Sequence, residues 1–292
     1  MRPLKKIQNP IFIIGTGRCG STLFHDLFSY HPQLAWVSGF CNYAPRWPIL
    51  NRMVLRADSH ALSQKLMRRV LRPSEGIFYW DYLAPGFARA TQDLKAVDVH
   101  ARVKKFARRE MARLLTAKRH RLLHKITGWP RTDYLLAMFP DAKFIHVYRD
   151  GRAVAHSFFT VKWWDGWRGP SNWICGDLPP AYAKEWEQSG RAFITLAAIQ
   201  WKILMDAYEE AKKNLSSKNY LEFKYEEFTE NPCTIFDRVL NFCDLPMDKR
   251  FERFVANLRL ESKNDKWRKS LSEQQQALFQ KSLAAHLGKY GY

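Results

Sequence analysis

The chain has 292 residues, 46% of them hydrophobic and 14% aromatic, a composition that is typical of globular proteins and excludes a largely disordered chain. Its 47 lysines and arginines outnumber its 28 acidic residues and give a net charge of +19, so we expect an anionic partner. The five scattered cysteines argue against a disulfide framework and a zinc site. No apolar run reaches the ~18 residues of a membrane-spanning helix or resembles a signal peptide, and we predict a cytoplasmic location.

Three short apolar runs, each followed by a helical pattern, occur in chain order. PIFIIGTG precedes STLFHDLFSY, RHRLLHKITG precedes RTDYLLAMF, and AKFIHVYRDG precedes RAVAHSFFTV. A fourth strand, NYLEFKYEEF, follows one long helix predicted from about Ala183 to Asn214. Strands that alternate with helices predict an α/β fold, here a single domain over residues 1–292 whose central, mainly parallel sheet is flanked by helices.

Residues 31–118 separate the first two strands and are predicted to form a largely helical insertion that caps the acceptor side. Its last part, ARVKKFARREMARLL, is amphipathic. The apolar face of this helix consists of Val103, Phe106, Ala107, Met111, Leu114 and Leu115. Its basic face is interpreted as a solvated surface, and contact with an anionic glycan or peripheral contact with a membrane is the alternative.

The segment FIIGTGRCGSTLFHDLF, residues 12–28, has the order strand, glycine-rich turn and helix. Gly17 and Gly20 let backbone N–H groups approach an anion, and Ser21 and Thr22 begin a helix whose N-terminus favours negative charge. Ser21 stands where nucleotide-hydrolysing loops carry a lysine, and Arg18 lies inside the turn. The pattern therefore predicts an anion-binding loop and disfavours a nucleoside triphosphatase.

A second segment, FIHVYRDGRAVAHSFF, places Arg149 at the end of a buried strand. Ser157 follows eight positions later, about two turns into the next helix. Ligands of open α/β sheets bind at the carboxyl ends of the strands, so an arginine and a hydroxyl there can hold a phosphate. Pairing of Asp150 with Arg152 at the helix start is the purely structural alternative.

Together these two segments resemble the PAPS-dependent sulfotransferase family, and the carbohydrate or heparan-type members of that family in particular. GTGRCGSTLF resembles the family's loop for the 5′-phosphosulfate, and RDGRAVAHS resembles its 3′-phosphate motif. HKITGWPR, FPDAKFIHVYRD, LEFKYEEF and a late DKWRKSLS also match, in order. The resemblance implies PAPS as the sulfuryl donor, PAP as the product, and no metal.

The resemblance also implies roles for individual residues. Arg18 and Lys125 would stabilise the charge that develops on the leaving 5′-phosphate, in a preorganised way. Tyr225 would lie near the nucleotide, Lys266 would contact a phosphate, and Trp267 would stack on adenine. The full set implied for cofactor binding is Gly17, Arg18, Cys19, Gly20, Ser21, Thr22, Arg149, Ser157, Tyr225, Lys266 and Trp267.

The acceptor hydroxyl needs a general base. The stretch from Lys125 to Pro130 lacks the histidine of the small-molecule enzymes, and strand alternation directs His124 away from Lys125. SEGIFYWD resembles the segment of heparan-type enzymes that carries a catalytic glutamate. Glu75 is therefore the first candidate and Asp81 the second, and an ordinary surface carboxylate is the alternative interpretation.

Tryptophans are concentrated in VKWWDGWRGPSNWICGDLPPAYAKEW. They are Trp163, Trp164, Trp167, Trp173 and Trp186. We interpret them as the core of a cap over the sheet, and a wall on which an acceptor sugar stacks is the alternative.

The sequence thus predicts transfer of a sulfuryl group from PAPS to an acceptor hydroxyl, of a carbohydrate or a glycolipid, with small alcohols and peptide tyrosine left open. A nucleotide or sugar kinase with a degenerate phosphate loop is one alternative. A basic nucleic-acid-binding protein is another, although no nucleic-acid motif supports it. The oligomeric state is not indicated.

Overall fold

The computed structural model describes residues 6–59, 68, 71–170 and 175–292. A parallel five-stranded sheet lies at its centre, with the strand order β2-β3-β1-β4-β5. The strands are β1 (Ile11–Gly15), β2 (Leu34–Ala35), β3 (Arg121–Thr127), β4 (Lys143–Tyr148) and β5 (Tyr220–Lys224). The sheet confirms the predicted single-domain α/β fold.

Helices cover the sheet and fill the segments between its strands. Between β1 and β3 lie α1 (Ser21–Phe28), α2 (Gly39–Tyr43), α3 (Pro48–Asp58), α4 (Ile77–Leu83) and α5 (Ala101–Ala112). Between β3 and β5 lie α6 (Thr132–Met138), α7 (Gly151–Phe158), α8 (Pro180–Gln188) and α9 (Phe193–Lys212). After β5 follow α10 (Tyr225–Glu230), α11 (Pro232–Phe242), α12 (Lys249–Ala256), α13 (Lys266–Ser270) and α14 (Glu273–Lys289).

The central strand β1 is buried on both faces, which explains its uninterrupted apolar sequence. Ile11 and Ile13 belong to the core on one face, together with Phe24 of α1. Phe12 and Ile14 point to the other face and pack in a second core. The alternation along β1 thus anchors helices on both sides and fixes where the loop after Gly15 emerges.

The helix predicted from about Ala183 to Asn214 was wrong, because the structure has two helices there. Helix α8 ends at Gln188 and α9 begins at Phe193. Between them Gly190 and Arg191 have φ angles of 70° and 58°, in the left-handed region. That conformation ends an α-helix, so the continuous apolar pattern overstated the length of the helix.

The insertion between β1 and β3 contains a strand that the sequence did not predict. Leu34 and Ala35 pair in parallel with Arg121 and Leu122, and two residues are too few to show a strand pattern. The amphipathic helix, α5, ends at Ala112. The predicted face residues Leu114 and Leu115 lie beyond its end but are buried nonetheless.

The parallel strands all end at one edge of the sheet, which brings together the segments after β1, β3, β4 and β5. Within the described ranges, no helix is both long enough and apolar enough to cross a bilayer.

Candidate active site

The loop from Thr16 to Gly20 joins β1 to α1 in a conformation that depends on its glycines. Gly17 and Gly20 have φ angles of 81° and 91°, and Arg18 also has a positive φ of 55°. A Cβ on Gly20 would lie 2.2 Å from Cδ2 of Tyr225, so only glycine fits against that ring. The hydrogen bonds found in the described part of the chain include none donated by the N–H groups of residues 17–20. These groups are therefore available to an anion.

The two predicted phosphate segments are in direct contact. Arg18 donates from Nε to Oγ of Ser157 over 2.9 Å, and Arg149 donates from Nη1 to the carbonyl oxygen of Arg18 over 3.2 Å. Nε of Arg149 donates to Oδ1 of Asn264 over 2.7 Å, and its guanidinium lies 4.5 Å from the centre of the Tyr225 ring. Four predicted residues thus converge, although Arg18 and Arg149 are 131 positions apart.

A cavity of about 470 Å³ opens beside this cluster. Its lining includes the predicted residues Arg18, Gly20, Ser21, Thr22, Arg149, Ser157 and Tyr225. It also includes Arg259, Leu260, Glu261 and Lys263, from the segment between α12 and α13, which the sequence analysis did not select. The signal for this segment was weak, two basic residues in a run without periodicity, and only the fold brings them to the cavity.

The late motif is placed differently from its prediction. Trp267 is 5% exposed and packs in the apolar core, with the guanidinium of Arg152 5.2 Å from the ring centre. Lys266 is exposed at the start of α13, and neither residue lines the cavity. Because its faces pack against protein, Trp267 is not positioned to stack on adenine in this structure. Cys19 also directs its side chain into the core, so only its backbone faces the loop.

Lys125 connects the loop helix to the first candidate base. Its Nζ donates to Oγ1 of Thr22 over 2.8 Å and lies 3.1 Å from Oε2 of Glu75. The other oxygen of Glu75, Oε1, accepts from N of Thr127 over 2.7 Å and from its Oγ1 over 2.5 Å. The Lys125 side chain is only 8% exposed, and that of Glu75 is 27% exposed. The carboxylate is thus held in place and still reaches solvent.

Burial alone raises the pKa of Glu75, but the ammonium of Lys125 and the hydrogen bonds from Thr127 outweigh it and hold the pKa below its ordinary value. Glu75 is therefore ionised at neutral pH. The second candidate, Asp81, lies on α4, and its ion-pair partner among the described residues is Arg89 at 3.3 Å. The structure thus brings Glu75, and not Asp81, to Lys125.

His124 lies on the face of β3 opposite Lys125, as alternation predicts. Its Nε2 lies 2.7 Å from Nε1 of Trp80 and 3.0 Å from the carbonyl oxygen of Glu75. The side chain is buried, and this burial, with the nearby charge of Lys125, lowers its pKa to about 4 despite the opposing influence of Glu75. His124 is therefore neutral, and its ring is packed between Trp80 and the backbone of Glu75.

Acid should destabilise the fold through His124. The unfolded chain binds a proton to this residue below pH ~6.5 and the folded chain does not, so stability falls as pH drops from about 6.5 towards 4. The loss attributable to His124 is about 3 kcal/mol when fully developed. Thermal melting of the wild type and of His124→Gln across this range should show a shallower decline for the variant. Parallel curves would mean that protonation of His124 does not cause the loss of stability. His25, His31 and His146 remain in both proteins, so their contribution is the same in the two curves.

The tryptophan-rich segment is divided between core and surface. Trp164 is buried and donates from Nε1 to Oε1 of Gln200 over 2.7 Å, whereas Trp186 is partly buried. Trp163 and Trp167 are 50% and 58% exposed. Trp173 lies outside the described residues. The core interpretation therefore holds for Trp164, and the exposed pair stays open to an acceptor.

Comparisons with known proteins identify the family and support the fold. The family model described as "Sulfotransferase family" matches residues 10–249. The sulfotransferase STF9 from Mycobacterium avium has a TM-score of 0.60 at 17% identity, over 98% of this chain and 77% of that one. The sulfotransferase domain from the curacin biosynthetic pathway has a TM-score of 0.50 at 15% identity, over 96% and 99%. No curated protein matches the sequence. With most of its length covered by the family model, the chain belongs to the sulfotransferase family.

Proposed function

We propose that this enzyme transfers a sulfuryl group from PAPS to the hydroxyl of a carbohydrate or glycolipid. The observation that carries the proposal is the cavity in which the glycine loop meets Arg149 and Ser157. The family match favours this reaction over a kinase with a degenerate loop. We also place the enzyme in the cytoplasm, on the basis of its scattered cysteines.

The donors around the cavity suit a nucleotide with two separate anionic groups. The loop N–H groups, Thr22 and Lys125 form one donor set, and Arg149 and Ser157 form another. Arg259 and Lys263 add two cations to the lining of the cavity. A cavity of about 470 Å³ is within the range of small-molecule sites. The first set would hold the 5′-phosphosulfate and the second the 3′-phosphate.

When bound, PAPS supplies the sulfuryl group and leaves as PAP. Arg18 and Lys125 hold positive charge at the loop in fixed positions, which stabilises negative charge that grows on the leaving phosphate. An arginine side chain is a poor proton donor, so Arg18 would act as an electrostatic group. Its hydrogen bond to Ser157 restricts the orientation of this exposed side chain.

Glu75 would take the proton of the acceptor hydroxyl. Thr127 and Lys125 orient its carboxylate, and the ion pair keeps it deprotonated. Once Glu75 is protonated, the ammonium of Lys125 loses this partner and keeps its bond to Thr22, at the helix that starts the loop site. Proton uptake by Glu75 thus leaves Lys125 free to neutralise charge at the loop.

Transfer of radiolabelled sulfate from PAPS to a panel of glycans, glycolipids and simple alcohols tests the proposal. Glu75→Gln should lower kcat by about 10²- to 10⁴-fold, because the variant cannot accept the proton. Asp81→Asn, the matched control, should retain full activity. The rate should fall only as pH drops through the lowered pKa of Glu75, below the ordinary range of a glutamate. Tight ATP binding without preference for PAPS would contradict the function, and loss of activity in Asp81→Asn would contradict the assignment of the base.

A further inference from the structure

Seven large apolar side chains are exposed together on one surface of the insertion. They lie on α2, at the N-cap and in the first half of α3, and in the first turn of α4, and their exposed fractions run from 42% to 78%. We call this surface the apolar patch, and it consists of Phe40, Tyr43, Trp47, Ile49, Met53, Ile77 and Phe78. Contiguous exposed apolar surface on a protein marks a site of interaction.

Contacts link the neighbouring helices that carry the patch. The rings of Tyr43 and Phe78 are 5.6 Å apart, and the N–H of Phe78 donates to Oδ1 of Asn42, which ties α4 to α2. Ile49 and Met53 are one turn apart on α3, so they share a face. These contacts hold the exposed side chains on ordered helices.

Cations border the apolar patch. Arg46 and Arg56 are exposed, Arg52 is partly exposed, and none of the three forms an ion pair with a carboxylate in the described part of the chain. The residues outside that part contain no Asp or Glu.

We propose that the apolar patch docks on an anionic lipid bilayer. Tryptophan, tyrosine and aliphatic side chains beside arginines are the composition that binds the membrane interface, where rings enter the headgroup region and cations meet anionic lipids. The net charge of +19 favours the same partner.

Docking would bring the candidate base to the lipid surface. Glu75 precedes Ile77 of the patch by two residues, and its carboxylate contacts Lys125. The acceptor would then be a hydroxyl on a lipid headgroup, a narrower class than carbohydrates in general. This last step rests on the proposed function, whereas the docking itself does not.

Co-sedimentation with vesicles tests the docking without PAPS or an acceptor. The wild type should bind vesicles of phosphatidylcholine mixed with phosphatidylglycerol, and bind vesicles of phosphatidylcholine alone far less. The double variant Trp47→Ser and Met53→Ser should lower the partition coefficient by about tenfold or more, because two apolar side chains no longer leave water. Trp167→Ser is the matched control, since Trp167 is 58% exposed, against 61% for Trp47, and also lies next to an arginine.

The charge component has a separate variant. Arg46→Glu should weaken binding to the vesicles that contain phosphatidylglycerol and leave melting unchanged, because this side chain is exposed. Equal binding by wild type and double variant would overturn the proposal. A second result would also overturn it: the wild type is a dimer that does not bind vesicles, and Trp47→Ser converts this dimer to a monomer. The apolar patch would then join two copies of the chain. Sulfate transfer that survives either result would show that only the docking is wrong.

Discussion

Replacement of Lys125 by methionine should lower kcat by about 10²- to 10³-fold, the loss expected when one preorganised stabilising group is removed. Nζ of Lys125 contacts Thr22 at the start of the loop helix and Glu75, the candidate base. The variant would therefore lack positive charge both at the leaving phosphate and beside the base. Sulfate-transfer rates at saturating PAPS measure the effect. Lys143→Met is the matched control, because Lys143 lies at the start of β4, bonded to the carbonyl oxygen of Phe242, and should retain activity.

A second readout separates this role from simple loss of structure. Without Lys125, Glu75 loses the charge and the hydrogen bond that lower its pKa against the effect of burial. The pKa should therefore rise, and the acid limb of the pH–rate profile should move to higher pH. Lys125→Arg keeps the positive charge, so its acid limb should lie close to that of the wild type. An unchanged acid limb in Lys125→Met would contradict the ion pair as the cause of the low pKa.

Arg149→Ala should lower kcat/KM for PAPS by about 10- to 100-fold, the value expected for hydrogen bonds to a charged group. Most of the loss should appear in KM, because the 3′-phosphate is remote from the reacting bond. Adenosine 5′-phosphosulfate, which lacks this phosphate, should bind wild type and variant equally well. Competition between the two nucleotides measures the discrimination.

The control for Arg149 comes from the same segment. Arg152 pairs with Asp150 at 2.8 Å and does not line the cavity, so Arg152→Ala should keep the preference for PAPS. Melting curves of both variants show whether either has lost stability. Equal loss of discrimination in the two variants would mean that general positive charge, and not a specific contact, selects the nucleotide.

The sequence predicted the parts of the site that depend on short local patterns. The loop before α1 and the pair Arg149 and Ser157 follow buried strands, and the carboxyl ends of parallel strands converge in any such fold. Their convergence could therefore be predicted even though the segments lie far apart along the chain. Glu75 was found only through a resemblance, because nothing in its own neighbourhood distinguishes it from a surface glutamate.

Other features could not be predicted because they depend on tertiary contacts. Arg259 and Lys263 reach the cavity through the path of the chain between α12 and α13, which has no periodic pattern. Trp267 was assigned to adenine, yet the packing of α13 against the core takes up its ring. The division between α8 and α9 follows from two residues with left-handed backbone conformation. The flanking sequence favours helix on both sides of them, so the pattern predicted one continuous helix.

The bond from Arg149 to the carbonyl oxygen of Arg18 makes the two ends of the nucleotide site a single thermodynamic unit. Arg149 holds the backbone that presents the loop N–H groups, while Arg18 holds the hydroxyl of Ser157 on the neighbouring helix. In the proposed site, recognition of the adenosine end would therefore contribute to the order of the sulfuryl-transfer end. The free energies of substitutions at these two arginines would not add, because each change alters the geometry on which the other group depends.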